Sequence, residues 1–216
     1  MRKPLKIFGI LVIIVVLFLA WRLFFRFLPI IPHERITISL PFVPSDDPHL
    51  FSINPMGETV NHPKPQNPHG HPGVDFLWDK NVEIISVAPG EVTRIEIHKG
   101  GPSGGKSYDV DVSTGIYAVR YTELTSYRKD LKVGSKLKQG EFIGYPFYEK
   151  HSDGKDAYSI HWEFDYDTVW YDRICPLTYF DESSRSRIDS LWLKVGWTHD
   201  GKFPHFCSGD YFGRDK

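Results

Sequence analysis

Tyr158-Ser159-Ile160-His161-Trp162-Glu163-Phe164 is the stretch that decides the fold, because polar and apolar side chains alternate along its length. Successive side chains of a β-strand point to opposite faces of a sheet, so this period of two predicts a half-buried strand. The face that carries Trp162 packs on a core, and the face that carries His161 lines a groove. A histidine at that position is either a metal ligand or part of the groove wall, and composition leaves both interpretations open.

Further short segments rich in β-branched and aromatic residues occur along the chain, and turns that contain glycine separate them. Ala88-Pro89-Gly90 and Gln139-Gly140 are two such turns. This pattern predicts an all-β domain. Besides the strand quoted above, the predicted strands are residues 82–86, 91–98, 108–112, 116–121 and 141–143.

Both ends of the chain depart from this β pattern. Prolines recur from Pro29 to Pro72, so no long helix fits there, and residues 29–65 are interpreted as an extended linker. Within it, only residues 36–40 alternate like a strand. Residues 66–180 form the predicted domain. Residues 181–216 are an accessory tail, in which residues 186–195 form either a short helix or a strand.

The N-terminus carries a targeting signal, the uncharged residues 7–21, which follow Arg2, Lys3 and Lys6. A helix over that run spans about 22 Å, so it must continue to residue 28 to cross a hydrocarbon core of roughly 30 Å. A cleaved signal peptide is disfavoured, because no small-x-small cleavage site follows the run. We therefore expect residues 1–28 to be a cytoplasmic stub and a single transmembrane anchor, with the C-terminal domain outside the cytoplasm.

Charge and cysteine content limit the partners and the compartment. The 216 residues leave room for one ordinary domain, and a net charge of −1 argues against a nucleic-acid partner. In an oxidising compartment Cys175 and Cys207 can form one disulfide, and the alternative is two buried free thiols. Sequence does not give their separation in space, so both alternatives stay open. Neither is a good metal candidate.

His71-Pro72-Gly73-Val74-Asp75 places an imidazole and a carboxylate four residues apart. Pro72 and Gly73 argue against a helix, and in a straight strand the pair would lie about 13 Å apart, too far for one ion. The two side chains can share a metal if the chain bends between them, which Gly73 permits. Without a further ligand they would be ordinary residues of a surface loop.

Six pieces of the chain, taken in order, match the motifs of one family: His71-Pro-Gly-Val-Asp75, Val87-Ala-Pro-Gly-Glu-Val92, Tyr121-Thr-Glu-Leu124, Val133-Gly-Ser-Lys-Leu-Lys-Gln-Gly-Glu-Phe-Ile-Gly144, Ser159-Ile-His-Trp-Glu163 and Cys175-Pro176. With these pieces the chain resembles the LytM/lysostaphin-type zinc metalloendopeptidases over about residues 71–180. The resemblance implies an antiparallel β-sheet or sandwich with a groove, built as a duplicated hybrid motif.

The same resemblance implies a zinc site on His71, Asp75 and His161. The two further active-site histidines of that family correspond to Glu123 and Ser159, so this chain departs from the pattern there. Glu123 is a candidate general base, because other zinc peptidases use a glutamate to activate water. Ser159 can donate one hydrogen bond to a developing oxyanion.

Three other residues are candidates for lesser roles at this site. His69 is a rival first ligand with a different spacing to Asp75, although the family motif favours His71. Tyr121 and His151 are candidates to assist catalysis.

The resemblance implies a membrane-anchored zinc metallopeptidase that hydrolyses peptide cross-links of peptidoglycan. The alternative is a catalytically degenerate LytM-like domain that binds cell-wall peptides or regulates a partner wall hydrolase. Retention of all three ligand types favours the enzyme, because degenerate members usually lack them. Loss of the two histidines favours the alternative.

Overall fold

The computed structural model describes residues 11–20, 35–57, 59, 70–99, 105–150, 154–167, 173–198, 200–202 and 205–208. The chain divides into two compact units, Met1–Glu34 and Arg35–Lys216. In the first unit, residues 11–20 are helical and their side chains are exposed. Among the described residues, no helix has both the length and the apolar character that a membrane span requires.

The second unit is built on one nine-stranded sheet whose strand pairs are all antiparallel, which confirms the predicted antiparallel β architecture. A separate two-stranded ribbon pairs β2 with β11 in parallel. The strands are β1 Leu50–Asn54, β2 Met56–Gly57, β3 Val74–Trp78, β4 Ile84–Ile85, β5 Gly90–Lys99, β6 Lys106–Thr114, β7 Tyr117–Tyr127, β8 Lys136–Leu137, β9 Phe142–Lys150, β10 Asp156–Tyr166 and β11 Cys207–Ser208. Short 3₁₀ helices cover Pro44–His49 and Pro176–Thr178.

Strand β10 is an inner strand of the sheet and contains the heptapeptide with alternating side chains. It pairs with β3 along one edge, and along the other edge it pairs first with β9 and then with β7. Ile160, Trp162 and Phe164 are at most 2% exposed, so the apolar face forms core as predicted. Glu163 and Ser159 on the polar face are also buried. The polar face of this strand therefore needs partners inside the protein.

Residues 35–57 are packed into the domain, which differs from the interpretation of residues 29–65 as linker. Ile38, Leu40 and Phe42 are buried in the core, and β1 pairs with β3. Residues 36–40 do not form a strand; Ile38 makes a single parallel bridge to Phe180. Proline excludes helix from this segment but leaves its apolar side chains free to bury surface, and this burial holds the segment in place.

The C-terminal segment is also part of the domain. The C-terminal helix, Glu182–Val195, begins after Asp181, whose side chain accepts a hydrogen bond from the backbone N–H of Ser184 at 2.6 Å. Its buried side chains join the same core as the sheet; among them are Ile188, Leu191 and Trp192. Cys175 and Cys207 form a disulfide with their Cα atoms 5.9 Å apart. The helix and the disulfide settle the two alternatives that the sequence left open.

Candidate metal centre

Two neighbouring strands bring the central pair of candidate ligands together. His161 on β10 lies directly opposite Asp75 on β3 in the antiparallel register. His71 precedes β3 and is held by an antiparallel bridge to Gly57. Because the chain turns between His71 and β3, the imidazole of His71 returns toward Asp75 instead of lying a strand's length away.

Three ligand atoms of this group form a small triangle. The Nε2 atom of His71 lies 3.1 Å from Nδ1 of His161 and 3.2 Å from Oδ1 of Asp75. The Nδ1 atom of His161 lies 2.7 Å from Oδ1 of Asp75. His71, Asp75 and His161 are therefore a group that could hold one metal ion, and no other such group of three occurs among the described residues.

Each member of the triangle has a second partner that fixes its orientation. Nδ1 of His71 lies 2.8 Å from the carbonyl oxygen of Pro55, and Nε2 of His161 lies 3.1 Å from Oε1 of Glu163. These outer nitrogens face acceptors and must carry the hydrogens, so the inner nitrogens can present lone pairs to an ion. The side-chain amide of Asn54 donates to Oδ2 of Asp75 at 2.8 Å, which aims the other carboxylate oxygen inward.

The electrostatics of this group keep Asp75 ionised. Burial raises the pKa of Asp75, but the hydrogen bonds from His161 and His71 outweigh it and hold the pKa well below its usual range. Burial lowers the pKa of His161, whereas its hydrogen bonds to Asp75 and Glu163 raise it, with a net pKa of about 10. A cation binding here therefore takes the place of a proton that is strongly held on His161.

Gly73 leaves room for the ring of His161. A Cβ atom at this position would lie 2.4 Å from the backbone oxygen of Trp162 and 2.9 Å from Nε2 of His161. Gly73 is not among the glycines with a positive φ in the described part of the chain. Glycine is required here because the backbone of Trp162 and the ring of His161 leave no space for a Cβ atom. The chain bends at Pro72 and Gly73 as expected from the sequence, and glycine is required there for space, not for a positive φ.

The donor set fits zinc. Zinc takes imidazole nitrogen and carboxylate oxygen ligands at about 2.0–2.2 Å in a tetrahedron, which places the ligand atoms roughly 3.3 Å apart. The edges of the triangle, 2.7 to 3.2 Å, are shorter than this separation by about 0.1 to 0.6 Å. Two imidazoles do not suit calcium or magnesium, which prefer oxygen ligands throughout. Three protein ligands also leave a fourth position open, as in catalytic zinc sites.

A cleft of about 390 Å³ adjoins the triangle, with Asp75 in its wall. It is lined by Ser52, Asn54, Asp75, Leu77, Glu123, Glu149, Ser159 and Trp197. Glu123 and Ser159, the two positions at which the chain departs from the family pattern, therefore share one cleft with a candidate ligand.

Glu123 reaches the cleft from an irregular point of β7. Tyr108 and Val110 of β6 pair with Leu124 and Tyr121, so Asp109 alone faces two residues of β7, and the strand bulges there. Glu123 has φ 62°, and its backbone N–H donates to Oδ1 of Asp109 at 3.2 Å. This left-handed conformation is costly for a residue with a Cβ atom, on the order of 1 kcal/mol or more.

The surroundings of Glu123 strengthen its affinity for a proton. Burial raises its pKa, His161 lowers it, and the carboxylates of Asp75, Glu149 and Asp109 raise it further, with a net increase. A raised pKa is favourable for a carboxylate that must accept a proton near neutral pH. Ser159 lies in the same cleft and is 7% exposed.

The remaining candidates lie elsewhere. Tyr121 is fully buried, its hydroxyl accepts a hydrogen bond from the backbone N–H of Val87 at 2.9 Å, and burial raises its pKa. It is a core residue, and the expectation that it assists catalysis is wrong because its hydroxyl points into the interior of the sheet. His69 and His151 lie outside the described residues.

Sequence reasoning missed several residues of the site. Asn54 and Pro55 lie in the segment interpreted as linker, and Trp197 lies in the segment interpreted as an accessory tail. Glu163 lies two residues from His161 on the same face of the strand, and this spacing is a sequence signal for its pairing with His161.

Fold and site together define a β-protein with a candidate mononuclear metal centre of two histidines and one aspartate. No protein-family model matches the chain, and no curated protein matches it in sequence.

Similar solved structures include Helicobacter pylori Csd3, with 20% identity, a TM-score of 0.48, and coverage of 72% of this chain and 39% of that one. The similarity thus spans well under half of Csd3. A chain from the SpoIIIAH and SpoIIQ complex has 19% identity and a TM-score of 0.48, with coverage of 66% and 99%. The catalytic domain of the antimicrobial peptidase lysostaphin from Staphylococcus simulans has 19% identity and a TM-score of 0.40, with coverage of 60% and 88%.

Structures similar to this chain thus include a peptidase of the type that the sequence motifs resemble. All three TM-scores lie below 0.5, so the function proposed below rests on the residues of the site itself.

Proposed function

We propose that this chain is a zinc-dependent peptidase of the LytM/lysostaphin type that hydrolyses peptide cross-links of peptidoglycan. The observation that carries this proposal is the triangle of His71, Asp75 and His161, in which each ligand is oriented by a hydrogen-bond partner outside the triangle. Ligands oriented in this way are typical of metal sites, and two imidazoles with a carboxylate suit zinc.

Zinc, when bound, supplies Lewis-acid chemistry that polarises a peptide carbonyl and lowers the pKa of water to about 7. The protein must then move protons and stabilise charge. Glu123 takes the proton of the attacking water and delivers it to the leaving amine, and its raised pKa suits both transfers. Ser159 donates a hydrogen bond to the oxygen that gains charge. The cleft is large enough for a short stretch of peptide.

Peptidase activity is tested in two stages. The purified protein should contain one zinc per chain, and His161→Ala should lose it. With zinc present, the wild type should release fragments from cross-linked peptidoglycan, and Glu123→Gln should lower the rate about 10² to 10⁴-fold while keeping its zinc. Glu83→Gln, at an exposed position outside the cleft, is the matched control and should keep full activity. Absence of zinc from the intact wild-type protein would refute the proposal.

A second candidate function is a groove protein that binds cell-wall peptides or regulates a partner wall hydrolase. The observation that favours it is Ser159, an uncharged residue of the cleft at a position where the LytM/lysostaphin-type family has a histidine. A protein of this kind would contain zinc and bind purified peptidoglycan without releasing fragments. The hydrolysis assay therefore separates the two candidates.

We also propose that residues 1–28 anchor the chain in a membrane and that the domain lies outside the cytoplasm. The basic residues before the apolar run support this orientation. The Cys175–Cys207 disulfide supports an oxidising compartment. Digestion of intact cells by an external protease tests the orientation, because a domain on the cytoplasmic side would survive until the membrane is broken.

A further inference from the structure

Strand β7 changes partners at Glu123. Up to Thr122 it pairs with β10, and from Leu124 onward it pairs with β9. Strand β9 also pairs with the first part of β10, residues 156–159. Glu123 therefore lies where the edge of β7 passes from one neighbouring strand to the other, directly after the pair formed by Thr122 and His161.

The bulge at this point decides which face of β7 carries Glu123. Tyr121 and Leu124 are both fully buried in the core, although they are three residues apart. In a regular strand side chains alternate, so Leu124 would lie on the face opposite to Tyr121, and Glu123 would share the core face with Tyr121. The extra residue shifts the alternation by one, so Leu124 returns to the core and Glu123 lines the cleft.

Asp109 supplies the contact that this bulge needs. The extra residue of a bulge is left unpaired in the ladder, and the backbone N–H of Glu123 donates instead to Oδ1 of Asp109 at 3.2 Å. Oδ2 of Asp109 lies 2.8 Å from Nε2 of His98 on β5, and the side chain of Asp109 is only 14% exposed. His98 thus fixes Asp109 from the next strand, and Asp109 fixes the bulge.

The left-handed conformation of Glu123 makes this contact consequential. With φ at 62°, a residue that has a Cβ atom relaxes to another conformation unless its surroundings hold it. Thr122 is held on one side, because its hydroxyl donates to the carbonyl oxygen of His161 at 3.0 Å. Glu123 itself is held at its own N–H by Asp109, so loss of that acceptor would release the bulge.

We propose that Asp109 is a positioning residue of the peptidase, whose carboxylate holds the left-handed bulge and so keeps the carboxylate of Glu123 in the cleft beside the metal centre. The described residues that line the cleft do not include Asp109, so it acts through Glu123. This role rests on the proposed function, in which Glu123 is the base. Misplacement of a reacting group by about 1 Å can lower a rate about 10²-fold.

The first test compares Asp109→Ala with Asp109→Asn. Asparagine keeps an oxygen that can accept from the N–H of Glu123, and alanine does not. Asp109→Ala should lower kcat for peptidoglycan hydrolysis about 10- to 100-fold with little change in KM, and Asp109→Asn should keep most of the rate. The matched control is Glu96→Ala, because Glu96 lies opposite Asp109 on β5 and pairs with Arg94; it should keep full activity. Equal losses in the two Asp109 variants would overturn the proposal.

A second test shows whether Asp109 acts through Glu123. With Glu123→Gln as the background, Asp109→Ala should lower the residual rate no further, because the group that it positions is already lost. A general structural defect would lower the rate by the same factor in both backgrounds, and that result would overturn the proposal. Zinc content should stay at one per chain in every variant, and its loss in Asp109→Ala would likewise contradict a role that acts through Glu123.

Hydrogen exchange of the Glu123 amide, followed by NMR, tests the contact independently of activity. This amide should exchange about tenfold faster in Asp109→Ala than in the wild type and in Asp109→Asn. Equal exchange in all three proteins would overturn the proposal, whether or not the protein cuts peptidoglycan. A wild type without hydrolysis refutes the peptidase, and the exchange rates then decide alone whether Asp109 holds the bulge.

Discussion

Asn54 and Asp75 face each other across the β1–β3 ladder, and the side-chain amide of Asn54 donates to Oδ2 of Asp75 at 2.8 Å. This contact leaves Oδ1 of Asp75 pointing at the two histidines, 2.7 Å from His161 and 3.2 Å from His71. One strand therefore orients a ligand that belongs to its neighbour.

Asn54→Ala should weaken zinc binding about 10- to 100-fold, which is typical for loss of a group that orients a metal ligand. The carboxylate of Asp75 would lose its fixed direction, while all three ligands would remain. Competition with a chromogenic chelator measures the affinity. Asn81→Ala, at an exposed position, is the matched control. Unchanged affinity in Asn54→Ala would show that Asp75 needs no such support.

Gly73→Ala should lower zinc affinity and the free energy of unfolding together. The added methyl would lie 2.4 Å from the backbone oxygen of Trp162 and 2.9 Å from the ring of His161. Such overpacking typically costs about 1–3 kcal/mol, and here it displaces a ligand. Gly154→Ala is the control, because its φ of +84° strains the backbone while its Cβ meets nothing. That variant should lose stability and keep its zinc affinity.

Glu123→Gly should be about 1 kcal/mol more stable than Glu123→Ala, because glycine relieves the left-handed strain at this position. Both variants should lose peptidoglycan hydrolysis. Urea unfolding measures the stabilities, and fragment release measures the activity. An alanine variant at least as stable as the glycine variant would show that the bulge carries no strain.

The domain should lose stability as the pH rises from about 4 to 8, because the pKa of Asp165 is higher in the folded than in the unfolded state. Burial, followed by the neighbouring charge of Glu163, raises the pKa of Asp165 from 3.8 to about 8 despite Arg120 and Arg173. A carboxyl whose pKa is raised on folding contributes stability that is complete below its unfolded pKa and disappears as the pH passes its folded pKa.

Asp165→Asn tests this pH dependence directly. The free energy of unfolding of the variant minus that of the wild type should increase by up to about 1.4 kcal/mol for each pH unit between about pH 4 and 8. Urea midpoints measured between pH 4 and 9 give this difference. Asp130→Asn, at a position where the side chain is 75% exposed, should show no comparable slope. A difference that stays constant with pH would contradict the expected titration.

Alternation in the sequence predicted the central strand and several of its neighbours. The predicted strands at residues 91–98, 108–112 and 158–164 lie within Gly90–Lys99, Lys106–Thr114 and Asp156–Tyr166. This signal is local, because each side chain faces core or groove according to its own place in the strand. The strand predicted at residues 82–86 is reduced to Ile84–Ile85, so its bounds were too wide.

His71, Asp75 and His161 could be named in advance because the motifs give their order and type, and the structure brings the three side chains together. Two of their supporting partners, Asn54 and Pro55, had no such signal. Asn54 and Pro55 lie between prolines in a segment without clear periodicity, and their proximity to the site follows from the pairing of β1 with β3.

The sequence by itself determined the alternating strands, the turns between them and the kinds of ligand available, because these depend on neighbours a few residues apart. Tertiary structure alone decided that Asn54 supports Asp75, that a bulge turns Glu123 into the cleft, and that Trp197 closes one wall of it. The physical reason is that strand register and long-range burial select contacts between residues far apart in the chain, and no local pattern encodes which distant partner lies opposite.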